Sequence, residues 1–506
     1  MAESLLLGID VGTGGTRAVL VNRAGRVVAS HATEHAPVRS EHPGWADQDP
    51  EDWWRAALAS IRAVLATGVA QAGAVAAIGL TGQMHGAVLL DASGDVLRPS
   101  LIWCDLRSTA QCDWLNQTLG AEKILAYTAN PALPNFTLTK LLWVKQHEPQ
   151  IFARIAHVLC PKDYIRYRLS GAFAIDVQEA SGTLMLDVAH RTWSQPMLDA
   201  TGVRREWLPE LYESPEVCAH VSPAAAQATG LVAGTPIVAG AGDQGAGAVG
   251  LGILAPGSVS AIIGTSGVVF AATDTPTLDP RGRLHTFCHA APGRWHVMGV
   301  TQAAGLSLRW LKNLLQPDTT SGSYEALTTQ AETVPAGTEG VLWAPYLFGE
   351  RTPHLDPAVR AAFVGLDATH GPAHLTRAVL EGVAYSLRDT LTLFQELGIP
   401  ARHIRVGGGG ARSALWRQIQ ADVYGQPVEF LAAEEGVAFG AALLAGVGAG
   451  FWPDVDAACA AAIQVAGRMQ PNPQATQTYD REYLRYRRLY RALASLRESP
   501  TTGQDA

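Results

Sequence analysis

Two short segments, half a chain apart, carry nearly the same text. Leu7-Gly8-Ile9-Asp10-Val11-Gly12-Thr13-Gly14-Gly15-Thr16 stands near the start, and Ala261-Ile262-Ile263-Gly264-Thr265-Ser266-Gly267-Val268-Val269 stands just past the middle of the 506 residues. Each reads as an apolar strand, a Gly-Thr-x-Gly turn and a return into apolar residues. A phosphate-sized anion needs backbone N–H groups turned inward, which tight glycine turns allow and Cβ atoms obstruct. One such turn alone is an ordinary hairpin. Two of them, one per half, predict two related domains that grip a nucleotide tail.

A chain of this length exceeds a single hydrophobic core, so two to four domains are expected. With 47% hydrophobic and 17% charged residues it is a globular, well-buried protein. A net charge of −8 argues against a general nucleic-acid surface. The opening Met1-Ala2-Glu3-Ser4 carries an acid, and the apolar run Leu5–Ile9 is too short for a secretory signal. The stretch from Val232 to Phe270 is apolar, but Asp243, Pro256 and its glycines break it into strand-sized pieces, so no membrane partner is expected. The six cysteines are scattered without a CxxC pair, which predicts reduced, buried thiols in a cytoplasmic protein.

The first half opens as a meander: strands at Leu5–Asp10, Arg17–Asn22 and Val27–Ser30, turning at Gly12 and at Ala24-Gly25. Asp49 followed by Pro50-Glu51-Asp52 predicts a capped helix running to about Leu65. Strands at Val75–Leu80 and Val88–Asp91 follow, and no GxGxxG opens the pattern, so it is not a Rossmann unit. The second half repeats the logic, with helices at Leu306–Leu315, Ala373–Leu397 and Ala414–Tyr424 and a strand His403–Val406 emptying into four glycines. The expected division is 1–252 and 253–506. Tyr479–Arg497 reads as a basic amphipathic helix packed on the body.

Asp10 ends an apolar strand and enters a glycine turn. It is either a turn former or a carboxylate beside bound phosphates, and the second makes sense only with Mg²⁺ between the like charges. Asp243 is the one charged residue from Val221 to Thr273. A buried, isolated carboxylate is costly. Asp243 therefore either caps a helix beginning at Gln244 or has a reactive task, and the two readings coexist because a helix N-terminus would hold it ionised. An ionised Asp facing a hydroxyl is the base that phosphoryl transfer needs. Gly408-Gly409-Gly410-Ala411-Arg412-Ser413 lies between strand and helix, and is either a simple strand-to-helix turn or a place where glycines let a flat base or ribose lie against the backbone. Gln83-Met84-His85-Gly86 and Trp103-Cys104-Asp105-Leu106-Arg107 follow first-half strands and combine polar groups with an aromatic face, as sugar sites do, although His85 taken singly reads equally as a satisfied loop histidine.

These segments together resemble the FGGY carbohydrate kinase family over almost the whole chain. The resemblance also includes Trp45-Ala46-Asp47-Gln48-Asp49-Pro50, Pro161-Lys162-Asp163-Tyr164, Tyr346–His354 and Ala378–Val383. It implies an α/β protein of the actin-like ATPase fold, with two ribonuclease-H-like domains flanking a central cleft. It implies ATP-dependent phosphorylation of a ketopentose, D-xylulose, at its terminal 5-hydroxyl, with Mg²⁺ as cofactor. In that reading Asp243 is the catalytic base, and Asp10 acts near Mg²⁺ and the transferring phosphate. Gln83, Met84, His85 and Trp103 line the sugar site, with Asp105 and Arg107 as further candidates. Gly12, Thr13, Gly264 and Thr265 hold phosphates, and Gly408, Gly409, Gly410 and Ser413 face the adenosine. Gln244 stands where the family often has Asn, and Cys104-Asp105-Leu106-Arg107 where Asn-Asp-Gly-Arg is common; these departures bear on sugar specificity, not on the reaction. A homodimer is compatible with this reading.

Overall fold

The structure, a computed structural model, describes residues 4–69, 72–315, 323–432 and 436–496. The chain forms two compact units. The first comprises Met1–Leu254, Ala272–His296 and Glu435–Ile463; the second comprises Ala255–Ala271, Val297–Glu434 and Gln464–Ala506. The first break lies close to the expected 252/253 division, but the units are not contiguous halves. A late segment of the chain returns to the first unit.

The first unit is built on a seven-stranded sheet. Leu5–Val11, Gly15–Asn22 and Val27–Glu34 run antiparallel, as the meander predicts. Val75–Gly82 then adds parallel to Leu5–Val11, and Pro236–Val238 and Ala241–Gly242 add parallel to Val75–Gly82. The strands read as nearly continuous apolar runs because helices cover both faces. Leu5, Leu7, Ile9 and Val11 point into one core with Trp53, Ile61 and Val64 of the helix Pro50–Ala66. That helix starts as read, with the Asp49 carboxylate accepting the Glu51 N–H at 3.0 Å.

Leu6, Val19, Val21 and Ala77 point the other way, into a core with Ala438, Phe439, Ala442 and Leu443 of the helix Val437–Gly448. That helix lies so close to the sheet that only glycine fits beneath it. A Cβ on Gly8 would stand 2.0 Å from the Ala438 carbonyl oxygen, and one on Gly79 would stand 1.9 Å from that of Ala441. This contact explains why Glu435–Ile463 belongs with the first unit.

The second unit repeats the plan. Gly257–Ile263 pairs antiparallel with Gly267–Thr273 and parallel with Ala401–Gly408. Ala401–Gly408 runs parallel to Val428–Leu431, which pairs antiparallel with Val465–Met469. The long helix Pro372–Glu396 and the helix Ala414–Tyr424 accompany this sheet. The terminal helix runs Pro473–Ser495 and buries Tyr479, Tyr483, Tyr486 and Leu489, so its apolar face is packed on the protein; Arg497, its expected end, lies outside the described residues. The apolar stretch after Val232 is divided among short strands and one short helix. Among the described residues no helix is long and apolar enough to cross a membrane.

Candidate active site

In the first unit the sheet topology brings two carboxylates together. Asp10 stands opposite Thr81 on one side of Val75–Gly82, and Ala241 stands opposite Thr81 on the other. Asp243 follows two residues later. The sequence reading of Asp243 as a helix cap is corrected here: Gly242 occupies the cap position, and Asp243 is the first helical residue of Asp243–Gly250. Its carboxylate accepts a hydrogen bond from the Gln244 amide at 3.2 Å.

Burial, first, and the negative charge of Asp243, second, push the Asp10 carboxyl up to about 7, with Arg17 opposing. Burial pushes Asp243 up to about 6, opposed by the side-chain and backbone donors of Gln244. Asp10 Oδ1 is buried without a hydrogen-bond partner. Two carboxyls held above their usual range, one with an unsatisfied oxygen, form a site prepared for protons or a cation. Among the described residues no three His, Cys, Asp or Glu side chains gather into a metal cage of their own.

The Gln83–Gly86 block continues from the same central strand. Met84 is buried against Gly242, where a Cβ would meet its Cγ at 2.5 Å. His85 adopts a left-handed backbone, φ 68°, and its Nδ1–H donates to the Gly182 carbonyl at 2.6 Å. Its carbonyl accepts from Lys140 Nζ at 3.0 Å and from the Thr137 hydroxyl at 3.2 Å. The Trp103 indole, partly exposed, donates to Thr13 Oγ1 at 2.9 Å, and the Thr13 hydroxyl donates to Gln83 Oε1 at 3.3 Å. Thr13 therefore joins the first glycine turn to the expected sugar residues.

Asp105 and Arg107, the further candidates, have partners within the loop itself. Asp105 accepts from the Ala46 N–H at 2.6 Å and from Arg107 Nε at 2.8 Å, and its other oxygen accepts the Arg107 N–H at 3.0 Å. The Arg107 guanidinium also pairs with Asp47 and lies 4.0 Å over the Trp45 ring. Both side chains are buried and their hydrogen bonds are committed internally. They build the loop that joins Trp45–Asp47 to Trp103–Arg107.

In the second unit Gly264 and Thr265 sit where the strand Gly257–Ile263 ends. Their carbonyls accept the N–H groups of Ala304, Gly305 and Leu306 at 2.8 to 3.1 Å, which anchors the start of the helix Gly305–Leu315. A cavity of about 730 Å³ opens here, and Gly264, Thr265, Gly409, Gly410 and Ser413 line it. Gly408 does not line it. It lies under Ile263, whose carbonyl oxygen would meet a Gly408 Cβ at 2.5 Å. Ser413 caps the helix Ala414–Tyr424, accepting from the Trp416 N–H at 3.3 Å. The glycines do not enter that helix directly; a single 3₁₀ turn, Gly409–Ala411, intervenes. The cavity also takes in Arg309, Tyr324 and Glu332, which no motif announces.

Two units, each a meander extended by parallel strands, with a glycine-turn phosphate candidate in each, define an actin-like ATPase fold. The family models for the N-terminal and C-terminal domains of the FGGY family of carbohydrate kinases match residues 5–250 and 259–449, and the chain belongs to this family. It is 43% identical over 446 residues to a xylulose kinase of Escherichia coli K12, covering 88% of this chain and 90% of that one. It is 37% identical to a xylulose kinase of Bacillus subtilis, covering 96% of each. Among solved structures, a "xyloylose kinase" from Brucella ovis superposes with a TM-score of 0.90 at 37% identity, covering 97% of this chain and 100% of that one. The protein is a sugar kinase, and ATP is its phosphoryl donor.

Proposed function

We propose that the chain transfers the γ-phosphoryl group of ATP to the terminal 5-hydroxyl of D-xylulose, giving D-xylulose 5-phosphate and ADP, with Asp243 as general base. The observation that carries the reading is the half-buried Asp243 carboxylate, next to Asp10 and beside Met84 through Gly242. The identity to named xylulose kinases supports the choice of sugar.

Asp243, ionised, takes the proton of the hydroxyl as its oxygen bonds to phosphorus and the bond to the ADP oxygen breaks. The Gln244 amide keeps the carboxylate oriented. Met84, His85, Gln83 and Trp103 hold the sugar. The Gly12 and Gly264 N–H groups close their own turns on the Gly15 and Ser266 carbonyls, so the N–H groups of Thr13 and Thr265 hold phosphoryl oxygens, and Gly409, Gly410 and Ser413 face the adenosine. The unpartnered Asp10 Oδ1 fits a divalent cation. Mg²⁺ bound there with the nucleotide would neutralise phosphate charge. Six free cysteines, buried or half-buried, suit a cytoplasmic location. A homodimer belongs to the same proposal and is read by sedimentation.

The test is ADP release, by coupled assay, across D-xylulose, D-ribulose, gluconate and glycerol. D-Xylulose is expected to give the highest kcat/KM. Preference for another acceptor overturns the choice of sugar, and ATP turnover indifferent to every acceptor overturns sugar kinase action itself.

A further inference from the structure

One side chain of the Trp45–Pro50 segment, given no chemical role in the sequence reading, ties the first glycine turn to the proposed sugar block. Gln48 lies in the two-residue strand Asp47–Gln48, just before the helix Pro50–Ala66, and is 4% exposed. Its Nε2 donates to the Thr13 carbonyl at 2.7 Å. Its Oε1 accepts from Gln83 Nε2 at 2.8 Å and from the Trp53 indole at 3.2 Å. The indole N–H can only donate, so it fixes which end of the Gln48 amide is the acceptor. The opposite end is left to hold Thr13. The Thr13 hydroxyl closes the triangle on Gln83 Oε1, and the Gln83 N–H donates to the Val11 carbonyl at 2.9 Å.

A turn support would need only the Thr13 bond. Gln48 holds two partners from separate segments, one in the proposed phosphate turn and one in the proposed sugar block. We propose that Gln48 is a positioning residue that makes Gly12-Thr13 and Gln83–His85 move as one body, so that sugar binding is felt at the phosphate turn. The inference rests on the functional reading above.

The test measures the Kd of D-xylulose by calorimetry, alone and with saturating β,γ-imido-ATP and Mg²⁺. In the wild type the nucleotide is expected to change that Kd about fivefold or more, a usual size for coupled sites. Gln48→Glu is isosteric and keeps both accepted bonds, but it sets an oxygen against the Thr13 carbonyl. Gln48→Leu removes all three bonds. Both are expected to bring the ratio within about twofold of one and to lower kcat at least tenfold, while the Kd of xylulose alone changes less than about threefold. A wild-type ratio near one overturns the proposal, as does a folded variant that keeps the wild-type ratio and loses only thermal stability. Gln48→Glu decides the matter where Gln48→Leu fails to fold. Xylulose-dependent ADP release by the wild type tests the functional reading separately; if another acceptor turns over instead, the ratio is measured with that acceptor.

Discussion

Asp10 and Asp243 hold protons more tightly than ordinary carboxyls, and burial is the leading cause for both. With Asp243 as the base, kcat/KM falls as pH drops through about 6 to 7, where the two carboxyls titrate. A limb near pH 4 in the measured profile would show that neither shift operates. The sign for stability follows from linkage. A raised carboxyl pKa means the folded protein binds the proton more readily than the unfolded one, so ionisation costs folding free energy. That cost is absent below about pH 4 and complete above about 6 for Asp243 and about 7 for Asp10. Asp243→Asn and Asp10→Asn should therefore raise the Tm by a few degrees at pH 8 and not at pH 4, read by calorimetry. Asp243→Ala should lower kcat by roughly 10² to 10⁴ while the Kd for D-xylulose stays within a few-fold; full activity in this variant removes Asp243 from the mechanism. Asp243 was legible in the sequence because a lone charge in an apolar stretch needs a reason. The partners of Asp105 and Arg107 were not legible, because spacing does not say which way a side chain turns, and theirs turn toward Asp47 and Ala46. Gln48 lies in the quoted Trp45–Pro50 segment, but its partners Thr13 and Gln83 are distant along the chain and no spacing points to them.

The strands and principal helices were legible from apolar runs, glycine turns and caps. Asp49 begins its helix as read, and Ala414–Tyr424 has the bounds that the pattern predicts. The helix Tyr324–Ala331, which brings Tyr324 and Thr328 to the second unit's cavity, has no strong apolar period to betray it. The helix Val437–Gly448 is the opposite case. It is apolar on nearly every side, so the sequence says that it is buried but not against what. The answer is the sheet of the first unit, at a distance set by Gly8 and Gly79. Gly79→Ala would drive a methyl into the Ala441 carbonyl and should cost about 3 kcal/mol, at the upper end for an overpacked core. Chemical denaturation measures it, and a variant as stable as the wild type would show that the helix can simply step away.

The two-domain plan was legible from the repeated turn. The allotment of the chain was not, because a single cut between halves ignores a segment that crosses back. Residues 1–254 expressed alone lack the helix that covers Leu6, Val19, Val21 and Ala77. That fragment should bind a hydrophobic dye strongly and aggregate on size exclusion; a monomeric fragment with a cooperative thermal transition would refute the dependence. The same arrangement sets an order of events during synthesis. A ribosome releases the first unit's sheet early but the Glu435–Ile463 segment only after most of the second unit has been made. At typical elongation rates the uncovered face waits on the order of ten seconds or more for its helix. During that interval the nascent chain presents the apolar face of Leu6, Val19, Val21 and Ala77 to whatever is nearby, so chaperone dependence in this protein should track translation speed between Leu254 and Glu435 more than the stability of the finished molecule.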